Sequence, residues 1–261
     1  MPLSPNLNVM LGAARKAARG LLRDFGEVEN LQVSRKGPAD FVSNADRRAE
    51  EVIHRELGKA RPGYGFLMEE SGEAAGTDTS HRWIVDPLDG TTNFLHGLPH
   101  WCISIALERD RRIIAGLVYA PVANELYMAE RGQGATLNDK RLRVSARARL
   151  PDALIACGTP FLGHGDIAGF SAEQARILAE TSGIRRFGAA ALDIAWVAAG
   201  RVDGFWEHNL SPWDIAAGAI IVKESGGAVT DIDGSDRWLQ TGNLLVSNDV
   251  LHQELSALLK G

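Results

Sequence analysis

Two cysteines in 261 residues are too few for a disulfide-stapled scaffold. Cys102 and Cys157 stand alone, without paired spacing, and read as small core hydrophobes in a reducing cytoplasm. No apolar run is long enough to span a bilayer, which argues against a membrane protein. The opening Met1-Pro2-Leu3-Ser4-Pro5 leads into a segment carrying Arg15, Lys16 and Arg19, with no signal-peptide h-region. A net positive charge is also lacking. The 28 Lys and Arg against 33 Asp and Glu leave a net charge of −5, and no basic stripe interleaves with aromatics, so a nucleic-acid surface is not expected. His96 and His100 are four apart but lack the acid of the zinc-protease pattern. The other histidines (54, 81, 164, 208 and 252) are scattered, and all are expected to be surface or hydrogen-bonded residues. Gly132-Gln133-Gly134 lacks the third glycine and following helix of a nucleotide cradle. Asp231-Ile232-Asp233-Gly234-Ser235 spells the motif of aspartyl-phosphate phosphatases, but too little chain follows it to build such a fold, so it reads as a surface turn. Internal repeats and low-complexity tracts are absent.

What is present is the material of a packed globular chain: 45% apolar and 23% charged residues. Helical spacing of apolar residues predicts helices over 8–25, closed by Gly26, and over 45–57, near Gly58. Gly65 to Met68 reads as a short strand delivering Glu69 and Glu70, and 71–81 as a mobile loop of small polar residues. Strands follow over 102–107, 113–120 and 125–129. Beyond about Lys140 the pattern alternates: strands over 153–157, 202–207 and 244–247, with helices over 170–180, 190–199, 215–224 and 249–259. Mixed sheets packed with helices are the expected architecture, as one domain over 1–261 loosely divided into halves of 1–140 and 141–261.

One stretch is denser in chemistry than the rest: Trp83-Ile84-Val85-Asp86-Pro87-Leu88-Asp89-Gly90-Thr91-Thr92-Asn93. Trp, Ile and Val suit a buried strand, and Pro87 should end its ladder. Asp86 and Asp89 then leave a tight turn, with the fixed φ of Pro87 holding the Leu88 carbonyl outward. Gly90 and Thr91 suit a helix start, where free N–H groups hold phosphate. Two hard anionic oxygens beside an anion-binding turn suit a divalent cation and a phosphoryl group together. The same residues also suit an ordinary corner with solvated aspartates. Ser211-Pro212-Trp213-Asp214 opens an apolar helix, where Asp214 serves a capping motif, a cation, or both. Oxygen donors without paired nitrogen or sulfur select Mg²⁺ or Mn²⁺ over zinc.

Met68-Glu69-Glu70-Ser71, the segment from Trp83 to Phe94, and Trp213-Asp214-Ile215-Ala216-Ala217-Gly218 make the chain closely resemble the inositol monophosphatase family of Mg²⁺-dependent, lithium-sensitive phosphatases. The resemblance implies a layered αβαβα sandwich of the inositol monophosphatase and fructose-1,6-bisphosphatase type, assembled as a homodimer. It implies one ion held by Glu69, Asp86 and the Leu88 carbonyl, a second by Asp86, Asp89 and Asp214, and a weaker third near Glu69. Thr91, with Glu69, then matches the position that activates the attacking water, and Asp46 matches a residue bonded to that threonine. Lys36 and Asp40 match a hairpin near the outer metal. Gly90 and Thr91 match the phosphate cradle, and Asp89, Gly188, Ala189, Ala190 and Glu207 the contacts to the alcohol. Ala189 departs from the Ser or Thr common there, which weakens any expectation of fine selectivity for inositol. The implied activity is hydrolysis of a phosphate monoester, inositol 1-phosphate foremost, by two- or three-metal activation of water. Histidinol phosphate is the alternative substrate, and a regulatory binding protein on the same scaffold is the alternative role.

Overall fold

The computed structural model describes residues 3–27, 33–35, 41–161 and 165–261. The predicted contacts of Lys36 and Asp40, and His164, lie outside them. In chain order the first half runs α1 (Pro5–Phe25), β1 (Val33–Arg35), β2 (Phe41–Ser43), α2 (Asn44–Ala60), β3 (Tyr64–Met68), β4 (Gly72–Ala74), β5 (Asp78–Asp89), α3 (Thr91–Leu95), β6 (Cys102–Arg109), β7 (Arg112–Ala120), β8 (Glu125–Glu130), β9 (Gly134–Leu137) and β10 (Lys140–Arg141). The second half runs β11 (Leu154–Cys157), α4 (Ile167–Glu180), β12 (Gly183–Arg185), α5 (Ala190–Ala198), β13 (Gly204–Glu207), α6 (Pro212–Glu224), β14 (Gly227–Thr230), α7 (Trp238–Thr241), β15 (Leu244–Asn248) and α8 (His252–Lys260).

Two large sheets stack between three layers of helix. The first sheet has the order β10-β9-β8-β7-β6-β5-β3-β4, and the second β12-β11-β13-β15-β14. On the outer face of the first lie α1 and α2. Ser4 Oγ caps α1 by accepting the Leu7 N–H at 3.2 Å, and Leu7, Met10, Ala14, Ala17 and Leu21 form its buried stripe. Ala45, Ala49, Ile53 and Leu57 do the same on α2. Between the sheets lie α5 and α6. Both are apolar nearly all round because each has protein on every side: Ile194, Ala195, Val197, Ile215, Ala219 and Ile221 are fully enclosed in one core. On the outer face of the second sheet α4 and α8 cover Ile155, Trp206 and Leu245. This is the αβαβα sandwich that the resemblance implies.

The stretch over 71–81 is mostly ordered rather than a mobile loop. β4 returns antiparallel along β3, pairing Met68 with Gly72 and Phe66 with Ala74, and β5 begins at Asp78. Edge pairing is made by backbone groups, so an exposed strand needs no apolar pattern to announce it. Pro87 does not end its strand either. β5 continues to Asp89 through an irregularity, with Asp86 opposite Ser104 and Asp89 opposite Cys102, so Pro87 and Leu88 bulge out of the ladder. The turn joining β6 and β7 is only Asp110 and Arg111, both at positive φ (50° and 60°).

Candidate active site

The β5 bulge places Asp86 and Asp89 on the same buried patch. The Asp86 carboxylate accepts the Leu88 N–H at 2.9 Å, which closes the turn around Pro87. Leu88 turns its carbonyl to the Thr91 hydroxyl at 3.0 Å, and that hydroxyl also lies 3.2 Å from Asp46 Oδ2. A hydroxyl has one proton, so Thr91 donates to one of these at a time and keeps lone pairs for another partner. Gly90, at φ +92°, precedes α3, where a Cβ would press the His100 carbonyl and the Ala189 Cβ at 3.0 and 3.1 Å. The start of α3 is therefore packed directly against the start of α5.

That contact explains Ala189. It is the N-cap of α5 and has no side chain to cap with. The Asp89 carboxylate takes the role instead, accepting the Ala190 N–H at 3.2 Å and the Ala191 N–H at 2.8 Å. Cys102 Sγ lies 3.5 Å from the same carboxylate. Gly188 stands just before, where a Cβ would fall 2.4 Å from Arg186 Nη1. Asp214, on the first turn of α6, accepts the Ser211 N–H at 2.7 Å, the capping contact its position predicts. Glu207 ends β13 against Gly158, where a Cβ would fall 1.8 Å from the Glu207 carboxyl carbon, so only glycine leaves it room.

These acids share one electrostatic environment. Burial, then the charges of Glu69, Asp89, Asp214 and Asp46, push the Asp86 carboxyl well above the ordinary range. Burial, then Asp89, raise Asp214, and the Ser211 N–H opposes them. Burial, then Asp214, Asp193 and Asp89, raise Glu207. Burial raises Asp89 less, because the Ala191 N–H and the Cys102 thiol hold its charged form. Among the described residues no Lys or Arg forms an ion pair with Asp86, Asp89 or Asp214. Buried carboxylates without a cation of their own either take up protons or wait for one. The all-oxygen donor set fits a small hard divalent ion.

Beside this group, single carboxylate oxygens of Asp46, Glu69 and Glu70 lie within 4.8 Å of one another, an arrangement able to hold a metal. The sequence places Glu70 with Glu69 at the carboxyl end of a strand but assigns only Glu69 to an ion; the structure adds the Glu70 N–H bond to Glu50 on α2 at 2.9 Å, which fixes its backbone there. Asn93 is likewise unassigned by sequence, yet its amide donates to the carbonyls of His100 and Phe187, both at 2.8 Å, tying α3 to the approach of α5. Asp193, one turn into α5, is buried and pushed up to about 6 by desolvation, with a hydrogen bond from His100 opposing the rise. A cavity of about 1020 Å³ opens beside the acids, with Glu69, Glu207 and Asp214 in its wall.

The set-aside motifs serve the fold. The N–H groups of Gly132 and Gly134 both bond the Glu224 carboxylate at 2.8 Å, so the chain's own acid fills that turn. Asp231 accepts the Asp233 N–H at 3.0 Å and closes its turn. His81, His100, His208 and His252 all have hydrogen-bond partners. Both cysteines are buried and free.

The profile of the inositol monophosphatase family matches residues 3–260. An inositol-1-monophosphatase of Mesorhizobium japonicum is 58% identical over all of this chain and 98% of its own length. A protein of Neisseria meningitidis named putative Nus factor SuhB is 46% identical over 98% of each chain. The crystal structure of the extragenic suppressor protein suhB of Bartonella henselae superposes with a TM-score of 0.95 at 57% identity, covering 98% of this chain and 99% of that one. By sequence over its whole length and by fold, this chain belongs to the inositol monophosphatase family and is a phosphoric monoester hydrolase.

Proposed function

We propose that the chain hydrolyses inositol 1-phosphate or a closely similar polyol phosphate with Mg²⁺ held by its buried carboxylates. The observation that carries this reading is that Asp86 and Asp89 are buried with the half-buried Asp214 beside them, and that among the described residues no Lys or Arg forms an ion pair with any of the three. Asp86, Asp89, Asp214, Glu69 and the Leu88 carbonyl would hold two ions, and a third, or Mn²⁺, suits the acids near Glu69. Bound there, the cation supplies Lewis acidity toward phosphoryl oxygen and lowers the pKa of water. The chain's own part is positioning. The N–H groups of Gly90 and Thr91 face the phosphate, and Thr91, with its proton on Asp46 or Leu88 O, accepts from the attacking water and aims it. Glu69 takes the proton that water loses. Glu207, with the first turn of α5 at Gly188, Ala189 and Ala190, meets the alcohol. With no hydroxyl at residue 189, polyols other than inositol are tolerated.

A panel of inositol 1-phosphate, histidinol phosphate, fructose 1,6-bisphosphate and 3′-phosphoadenosine phosphate with Mg²⁺ tests this. Release of phosphate from inositol 1-phosphate at the highest kcat/KM is expected. Preference for histidinol phosphate would move the substrate assignment, and no turnover of any of the four would end it. A second reading, a binding protein on the same scaffold, draws on relatives named Nus factors at 44–46% identity. An Asp89→Asn variant that preserves the cellular phenotype of the parent would favour that role. The reading includes a cytoplasmic homodimer inhibited by Li⁺, checked by light scattering and by Li⁺ titration of the rate. No helix among the described residues is long and apolar enough to cross a membrane.

A further inference from the structure

Behind Asp89 stands a second layer of contacts that the hydrolytic reading does not use. His100 Nε2 lies 2.7 Å from Asp193 Oδ1, and Asp193 is only 1% exposed. The imidazole is held on its other sides by rings, with Trp196 edge-on at 4.9 Å and Phe187 at 5.3 Å, and Phe187 in turn meets Trp196 at 4.9 Å. The backbone of the same residue is fixed too, since the Asn93 amide bridges the His100 and Phe187 carbonyls. Asp193 lies in the first turns of the helix whose Ala190 and Ala191 N–H groups grip Asp89. Because Ala189 brings no capping side chain, no hydroxyl holds that helix start in register with Asp89.

We infer that His100 and Asp193 are positioning residues: their bond pins the first turn of α5 to the segment following α3, and so fixes the Asp89 carboxylate for a divalent ion. The pair touches neither substrate nor metal. It acts through the two N–H groups on Asp89, in the way outer-shell partners of ligands tune metal sites. A histidine is suited to this because it donates from a rigid ring whose faces pack, so the bond and the packing fix the same orientation. The inference rests on the proposal that Asp89 is a metal ligand.

Mn²⁺ binding to the whole protein without substrate, followed by electron paramagnetic resonance of the free ion, reads the effect apart from turnover. His100→Ala is expected to weaken Mn²⁺ about 10- to 100-fold, the range seen for outer-shell partners. His100→Gln, whose amide N–H takes the place of Nε2, is expected to stay within about threefold of the parent. Far-UV circular dichroism should match the parent for both, while melting in EDTA should fall for His100→Ala, which leaves Asp193 buried without its partner, and less for His100→Gln. Should His100→Ala not fold, Asp193→Asn keeps the size, loses the charged acceptor, and is expected to weaken Mn²⁺ about three- to tenfold. An unchanged dissociation constant in folded His100→Ala, or in Asp193→Asn where that stands in, overturns the inference while leaving the hydrolytic reading intact. A parent protein that binds no Mn²⁺ sinks both.

Discussion

Replacing Asp86 by Asn should make the metal-free protein more stable and the metal-loaded protein inert. The Asp86 carboxyl is buried, and burial together with Glu69, Asp89, Asp214 and Asp46 raises its folded-state pKa. A carboxyl raised in the folded state binds more protons there than in the unfolded chain, so stability falls as pH climbs from the unfolded value near 4 toward the folded one. Above that window the wild-type chain carries the full cost and an amide does not. Asn keeps the one contact that shapes the turn, because its Oδ1 still accepts the Leu88 N–H. The ordering should reverse with Mg²⁺. An ion at about 100 times its dissociation constant stabilises the protein it binds by about 2.7 kcal/mol. For a chain of this size that is roughly 5–10 °C in Tm. Thermal melts at pH 5 and pH 8, in EDTA and in Mg²⁺, measure all four corners. The variant should melt above wild type at pH 8 in EDTA, gain little from Mg²⁺, and lose turnover by about 100-fold or more. If Asp86→Asn melted below wild type in EDTA at pH 8 and rose with Mg²⁺ as wild type does, the account of a cation-starved carboxylate cluster would be wrong.

Other outcomes follow from single contacts. Thr91→Ala, which removes the hydroxyl shared with Asp46 and Leu88 O, should lower kcat about 10- to 1000-fold with little change in KM, measured by phosphate release. Gly218→Ala puts a methyl 2.6 Å from Ile194 Cγ2 and wedges α5 from α6; urea unfolding should show a loss of about 1–3 kcal/mol, with part recovered by Ile194→Val. A hydrogen bond from His208 to Glu173 raises the histidine's pKa. Its stabilisation is therefore complete below the unfolded value near 6.5 and is lost as pH rises through the folded one. Glu173→Gln should flatten the stability slope just above pH 6.5, and an unaltered slope would refute the pairing. Burial pushes the Cys157 thiol up to about 12 and the Cys102 thiol well above its ordinary value, so a thiol reagent should label neither residue until urea unfolds the chain.

The amino-acid sequence by itself determined the local corners. Trp83 to Asn93 reads as a strand leading to a helix start because both are dictated by neighbours a few residues away: the apolar run, and the glycine before two threonines. Ser211 to Asp214 reads as a helix start for the same reason, and the apolar α5 and α6 announce burial on all sides. Where the signal was a backbone pairing rather than a side-chain pattern, it failed. β4, β12 and β14 are short strands of small or exposed residues, and Pro87 sits inside a bulge instead of ending a ladder. Tertiary structure alone decided what each acid experiences. Desolvation and the charges of Glu69, Asp89 and Asp214 on Asp86 exist only once distant segments close around it. The same closure lets Asp89 cap a helix 100 residues away, brings Glu70 to Asp46, and gives His100 its partner on α5. No periodicity in the chain encodes those meetings, because each joins groups whose separation in sequence carries no repeat.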